Sequence, residues 1–152
     1  MADGWSIRAA RAADHDAWLA LRIALWPDED AVQMRGDIPR MLAATDRFAA
    51  FVAIDQAGVP IAFAEATLRH DYVNGTETSP VGFLEGWYVA PQWRKRGIGR
   101  ALVDAVAQWS RARGCREFAS DALLDNHDSH AAHRACGFAE TERVVYFRKP
   151  LD

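Results

Sequence analysis

Apolar and polar positions alternate with two different periods along the chain, and the switches between them mark out its elements. Trp5, Ile7 and Ala9 alternate with Ser6, Arg8 and Ala10, which predicts a short first strand. Trp18, Leu21 and Leu25 follow at helical spacing, with Asp14 or Asp16 placed to cap the helix and Pro27 to end it. A weaker helical pattern runs from about Ala31 to Ala43. Gly36 and Pro39 predict a break inside it, because proline lacks a backbone donor and crowds the preceding turn.

Phe48 to Ile54 and Pro60 to Arg69 are rich in strand formers and flank Asp55-Gln56-Ala57-Gly58, a sequence suited to a tight reversal, so they predict an antiparallel hairpin. Beyond the polar loop His70 to Pro80, Val81 to Val89 reads as another strand. Gly82 and Gly86 within it predict a bulge or a close backbone approach by a ligand. Ile98, Ala101, Leu102, Ala105, Val106 and Trp109 then share one helical face, with Arg111 and Arg113 in the last turn and Gly114 as the stop. Arg116 to Ala122 predicts a strand, Ser129 to Cys136 a helix ended by Gly137, and Phe138 to Lys149 a final strand. The order β-α-α-β-β-β-α-β-α-β is that of an α/β domain with a mixed sheet.

Composition narrows the reading. Half of the 152 residues are apolar, enough to bury a core as one domain spanning 1–152 without metals or disulfides. Cys115 and Cys136 form no close pair and no Cys/His pattern of a zinc site, so two reduced, buried thiols are expected. Asp3 and Gly4 stand where a signal peptide would carry a basic segment, and no apolar run approaches the roughly 20 residues that span a bilayer. A cytoplasmic protein with no membrane partner is expected. The net charge of −3 disfavours a nucleic-acid partner and suits a cationic one. Basic residues crowd Arg94-Lys95-Arg96 and Arg100 while acidic ones populate other segments, a layout that serves one anionic and one cationic ligand.

The candidate chemistry starts in Val89-Ala90-Pro91-Gln92-Trp93-Arg94-Lys95-Arg96-Gly97-Ile98-Gly99-Arg100. This segment joins a strand to the strongest helix, so its backbone amides can converge on an anion. A pyrophosphate is the natural guest, since glycines let it approach and the helix start stabilises its charge. Here the sequence resembles the GNAT superfamily of acetyltransferases, whose loop reads Arg/Gln-x-x-Gly-x-Gly/Ala, matched by Arg94, Gly97 and Gly99. The preceding strand, the following amphipathic helix and the later Gly137-Phe138 pair come in the superfamily's order. No Gly-x-Gly-x-x-Gly run supports a dinucleotide fold instead.

That resemblance implies a single domain whose mixed, mostly antiparallel sheet is splayed at an acetyl-CoA site. It places the pantetheine arm along the strand carrying Trp87 and Val89. The diphosphate falls against Arg94, Lys95, Arg96, Gly97, Ile98, Gly99 and Arg100, and Asn126 contacts the co-substrate. His133 occupies the position where many members carry a tyrosine that protonates the leaving thiolate.

Leu25-Trp26-Pro27, Arg69 to Gly75, Phe83-Leu84-Glu85-Gly86, Ala119-Ser120-Asp121 and Glu140 to Val144, in that order, resemble the bacterial aminoglycoside 6′-N-acetyltransferases over nearly the whole chain. The resemblance implies acetylation of the 6′-amine of an aminoglycoside and a homodimeric protein. The physical demands agree: a small polycation needs carboxylates for its charge and aromatic faces for its rings and cations. Trp26 and Tyr72 can supply the faces, Glu85 and Asp121 the carboxylates.

A second demand is a base. An alkylammonium with a pKa of about 10 is only ~0.1% neutral at pH 7, and only the neutral amine attacks a thioester. Asp121, at a strand end, is the first candidate, with Glu85 second or as a positioning group. Backbone N–H near Trp87 can stabilise the oxyanion, and His133 is the candidate proton donor. His127, His130 and His133 are not read as a metal site, because a third ligand face is missing and the chemistry needs no metal. Two alternatives stay open: a GNAT enzyme acting on a polyamine, a protein lysine or an N-terminus, and a non-catalytic acetyl-CoA-binding module.

Overall fold

A computed structural model describes residues 3–152. They fall into two compact units, the first ending at Asp121 and the second covering Ala122–Asp152.

In the first unit one five-stranded sheet follows chain order: β1 (Trp5–Ala9), β2 (Phe48–Asp55), β3 (Pro60–Arg69), β4 (Val81–Val89) and β5 (Glu117–Ser120). The first four are antiparallel neighbours and β5 lies parallel to β4. A parallel neighbour needs a crossover, which α3 (Ile98–Ala112) provides. The β2–β3 turn is set locally: the Asp55 carboxylate accepts the amides of Ala57 and Val59, and Gly58 takes a positive φ of 81°.

Each face of the sheet is covered by helix. On one, α1 (His15–Leu25) and α2 (Ala31–Ala43) bury Trp18, Leu19, Leu21, Met34, Ile38 and Met41 against Val52 and Phe63. The residues alternating with Phe63 along β3 are Ala62, Ala64 and Ala66, all buried, so the opposite face is shallow and α3 comes in close. Gly82 allows the tightest approach: a β-carbon there would stand 2.0 Å from Ser110 Oγ on α3.

Six expectations need correction. Asp14 precedes α1 but does not cap it through its side chain; its carboxylate is taken by Arg8, through two bonds of 2.7 Å, and by the Arg11 amide. Arg8 holds the Asp14 carboxyl below the ordinary carboxylate range, more strongly than burial raises it. Helix α2 is continuous across Gly36 and Pro39, because Met34, Ile38 and Met41 anchor its inner side. Arg35, whose carbonyl loses its partner at Pro39, lies on the exposed side, where solvent can take the bond. Strand β5 is shorter than the Arg116 to Ala122 expected.

The other three fall in the second unit. Helix α4 (His127–Ala135) starts two residues before the expected span and leads into Gly137 at φ 91°. Phe138 to Lys149, expected as a strand, has no strand structure. Strand-forming residues need a ladder to pair with, and this segment leaves Val145, Tyr146 and Phe147 exposed. Cys115 is buried, and burial pushes its thiol upward; Cys136, expected to be buried, is half-buried. Among the described residues no helix is long and apolar enough to cross a membrane.

Candidate active site

The ladder between β4 and β5 covers four residue pairs and stops at Leu84–Ser120. Past that point β4 runs on through Val89 flanked by β3 alone. The two parallel strands thus part beside Glu85, and Asp121 is the first residue after β5. Both acidic candidates therefore stand at the fork, Asp121 exposed and the Glu85 side chain 33% exposed.

Glu85 owes its direction to the bulge expected from the strand glycines. The β3–β4 register pairs Glu65 with Gly86 and Ala66 with Leu84, which leaves Glu85 as the extra residue. Its carboxylate accepts Thr67 Oγ1 at 2.6 Å and Arg69 Nη2 at 2.6 Å, and the Arg69 guanidinium also covers the Phe83 ring at 3.6 Å. Thr67 and Arg69 alternate with the same phase as Phe63 and Glu65, so the bulge brings Glu85 onto the face that α1 covers.

Trp26 stands on that same face. It is the residue just after α1, its amide bonded to the Arg22 carbonyl at 2.9 Å, and its ring meets Phe63 edge-on with centroids 6.1 Å apart. Gly86 gives it room: a β-carbon there would lie 2.5 Å from Trp26 Cη2. Tyr72 belongs to the His70–Pro80 loop and is 74% exposed. Glu117, in β5, fastens that loop by accepting the amides of Glu77 and Thr78 at 2.9 and 2.7 Å. These bonds, led by the Thr78 hydroxyl, hold the Glu117 carboxyl below its ordinary range.

At the other end of β4 the chain makes a one-turn 3-10 helix, Pro91–Trp93, and then two left-handed residues, Lys95 at φ 64° and Gly97 at φ 86°. A left-handed non-glycine residue costs about 1–2 kcal/mol, so Lys95 marks a loop held against its local preference. Arg94 ties that loop back to the strand, its Nε donating to the Val89 carbonyl at 2.8 Å. Gly97 opens α3 with no side-chain cap, leaving the first-turn amides to an outside acceptor. Arg94, Lys95, Arg96 and Arg100 are all exposed around this turn, while Ile98 is buried as its anchor. Trp87 lies against the same turn, with Nε1 donating to the Gly99 carbonyl at 3.1 Å; a β-carbon at Gly99 would stand 3.2 Å from the Trp87 ring. An anion at the start of α3 and an extended chain along β4 fit this geometry.

Asn126 and His133 belong to the second unit. Asn126 caps α4, its Oδ1 accepting the Ser129 amide at 3.2 Å. His133 Nδ1 lies 2.7 Å from the Ser129 carbonyl, and its ring meets Phe138 edge-on at 5.2 Å. Among the described residues no three His, Cys, Asp or Glu side chains cluster as metal ligands.

Sequence reasoning missed a buried polar group beneath Trp26. Glu65 accepts Arg22 Nε at 2.7 Å, Arg22 Nη2 at 3.1 Å and Trp18 Nε1 at 2.8 Å. Arg22 also donates to the Met34 carbonyl at 2.9 Å, and its guanidinium lies 5.2 Å from the Trp26 ring centre. Burial pushes the Glu65 carboxyl above its ordinary value, against the pull of Arg22 and Trp18. Two signals pointed to it: a lone acid in phase with Ile61 and Phe63, and Trp18, Arg22 and Trp26 spaced by four along one helical stripe.

The profile of the Acetyltransferase (GNAT) family matches residues 13–138. The chain is 56% identical over 147 residues to an aminoglycoside N(6')-acetyltransferase type 1 of Stenotrophomonas maltophilia, covering 97% of this chain and 94% of that protein. With the enzyme of the same name from Acinetobacter baumannii it shares 49% identity, over 88% of this chain and 90% of that one. Among solved structures, AAC(6')-Iy in complex with the bisubstrate analog CoA-S-monomethyl-acetylneamine superposes with a TM-score of 0.91 at 44% identity, covering 97% of this chain and 99% of that one. The aminoglycoside 6'-N-acetyltransferase AAC(6')-Ih from Acinetobacter baumannii also superposes with a TM-score of 0.91 at 44% identity, over 98% and 100% of the two chains.

Proposed function

The chain belongs to the GNAT acetyltransferase family, and on that premise we propose that it moves the acetyl group of acetyl-CoA onto the 6′-amine of aminoglycosides, inactivating them. The observation that carries this reading is the fork between β4 and β5, with the two carboxylates where the strands part and the two left-handed residues beyond the C-terminal end of β4. The glycine-opened turn fits a diphosphate: Gly97 already has the positive φ the turn requires, and exposed basic side chains ring it. When bound, acetyl-CoA supplies an activated acetyl thioester. Arg94, Lys95, Arg96 and Arg100 balance its phosphate charge while the amides of Gly97, Ile98 and Gly99 receive the diphosphate, and the backbone at Trp87 and Val89 guides its arm.

Asp121 receives the proton that the ammonium must lose before its nitrogen can attack. Glu85, held by Thr67 and Arg69, orients the cation, and Trp26 and Tyr72 offer aromatic faces to its rings. The amine nitrogen bonds to the acetyl carbon, the carbon–sulfur bond breaks, the nitrogen gives up its second proton to become the amide, and the departing thiolate takes up one proton. For Asn126, toward the co-substrate, and His133, as donor to the thiolate, the support is family resemblance.

Residues 1–152 act as one domain, since the family match runs across both compact units. A homodimer is the proposed assembly, supported by the apolar run of the second unit, where Phe147 is 92% and Leu151 88% exposed. Light scattering should give twice the chain mass, and Phe147→Asp should lower it. Residence in the cytoplasm accords with the co-substrate used.

A screen of acetyl-CoA consumption tests the function. Aminoglycosides with a 6′-amine should turn over and 6′-hydroxyl counterparts should not. Turnover of spermidine or a lysine peptide in their place would overturn the acceptor assignment, and cofactor binding with no acetyl transfer to any amine would overturn the reaction.

A further inference from the structure

The Trp18–Arg22–Glu65 group does more than fill the core. A carboxylate and a guanidinium that are only 4% and 6% exposed are costly to bury, and replacing such a pair by apolar side chains often stabilises a protein. Here the ion pair sits against one particular side chain. The Arg22 guanidinium is clamped by Glu65 through two of its nitrogens and by the Met34 carbonyl through a third, which fixes its plane. Asp37 Oδ2 lies 3.5 Å from that third nitrogen, at the looser edge of the clamp, and the Trp26 ring centre is 5.2 Å from the guanidinium. Across the same ring lies Gly86, the register partner of Glu65, where the missing β-carbon leaves the slot that Trp26 Cη2 enters. Phe63 closes a further side of the ring. Trp26 is thus bounded by a clamped cation, a glycine and a buried aromatic, one residue along β4 from the bulged Glu85.

We propose that Glu65 is a positioning residue for the acceptor amine: by clamping Arg22 it fixes Trp26 as a rigid wall of the acceptor site, next to Glu85. Glu65 touches no reacting atom on this assignment and acts only through Arg22 and Trp26. The proposal rests on the reading of Trp26 as an acceptor wall, so the test separates the two.

Steady-state kinetics with acetyl-CoA and a 6′-amino aminoglycoside such as kanamycin serve on wild type, Trp26→Ala, Glu65→Gln and the double variant. Trp26→Ala should raise the KM of the amine roughly 3- to 30-fold, the range expected for an aromatic face on a cation. Glu65→Gln keeps the shape and an acceptor for Trp18 but removes the nearer of the two charges on Arg22, leaving Asp37 at 3.5 Å. It should raise the amine KM by at least roughly 3-fold while leaving the KM of acetyl-CoA and kcat within about twofold. In the Trp26→Ala background the same change should add less than about twofold. Arg22→Lys, which keeps the charge but loses the planar fork, should reproduce the shift and carries the test if Glu65→Gln does not fold.

An amine KM unmoved by Glu65→Gln, or moved equally with and without Trp26, overturns the positioning role while the acceptor reading stands. An amine KM unmoved by Trp26→Ala overturns both. Equal losses of kcat with both KM values unchanged would mean that Glu65 only supports the fold.

Discussion

Replacing Gly82 by alanine puts a close contact between α3 and β4 under test. A β-carbon at that position would stand 2.0 Å from Ser110 Oγ and 2.7 Å from Ser110 Cβ. Rotating the hydroxyl away would relieve only the first contact, because the second is fixed by the backbone of α3. The hydroxyl is also engaged, donating to the Val106 carbonyl at 2.8 Å in a residue only 2% exposed. To restore an ordinary carbon–carbon separation of about 3.5–4.0 Å, α3 must withdraw from β4 by roughly 1 Å. Overpacking of this kind costs about 1–3 kcal/mol, which for a chain of this size lowers Tm by roughly 2–12 °C. A double substitution sharpens the test. Adding Ser110→Gly removes both clashing atoms and should recover most of the loss, apart from about 1 kcal/mol for glycine inside a helix. Adding Ser110→Ala leaves the β-carbon in place and should recover little. Urea denaturation followed by circular dichroism reads all four proteins. A Gly82→Ala midpoint equal to wild type, or rescue by Ser110→Ala as complete as by Ser110→Gly, would refute the reasoning.

Three further outcomes are expected. Gly97→Asp puts a side chain into a left-handed position, at about 1–2 kcal/mol, and a negative charge beside the diphosphate; acetyl-CoA affinity measured by calorimetry should fall by roughly tenfold or more. Asp121→Asn and Glu85→Gln should each lower kcat/KM for the amine by roughly 10²-fold or more, with acetyl-CoA affinity in calorimetry little changed. Asp14→Asn should cost on the order of 1.5–3 kcal/mol at pH 7 through the lost Arg8 pairing. Because that pairing lowers the Asp14 carboxyl in the folded state, its contribution is complete above the unfolded-state value of about 4. It fades as pH falls through the folded value, so denaturation midpoints of wild type and variant should converge in acid.

Where local chemistry decides, the chain's own order of residues was enough. Alternation set β1 and the β2–β3 hairpin, Asp55 and Gly58 set its turn, and the apolar stripe from Ile98 to Trp109 set α3. The glycines at 97 and 99 announced the anion turn, since a left-handed backbone and a close approach are written in the residues that adopt them. The strand glycines announced a bulge but not its occupant. That Glu85 is the extra residue, turned toward Thr67 and Arg69, follows from how β3 and β4 are registered. Glu65 finds Arg22 across 43 positions, and nothing local says which cation will meet a buried acid. Pro39 stays inside α2 because packing on the sheet outweighs a local preference for a break. Phe138 to Lys149 has strand-forming residues but no strand, because extended backbone becomes a strand only when another edge accepts its hydrogen bonds. Periodicity and turn chemistry are properties of neighbours along the chain; register, ion pairing and strand partners are properties of neighbours in space, and those only folding assigns.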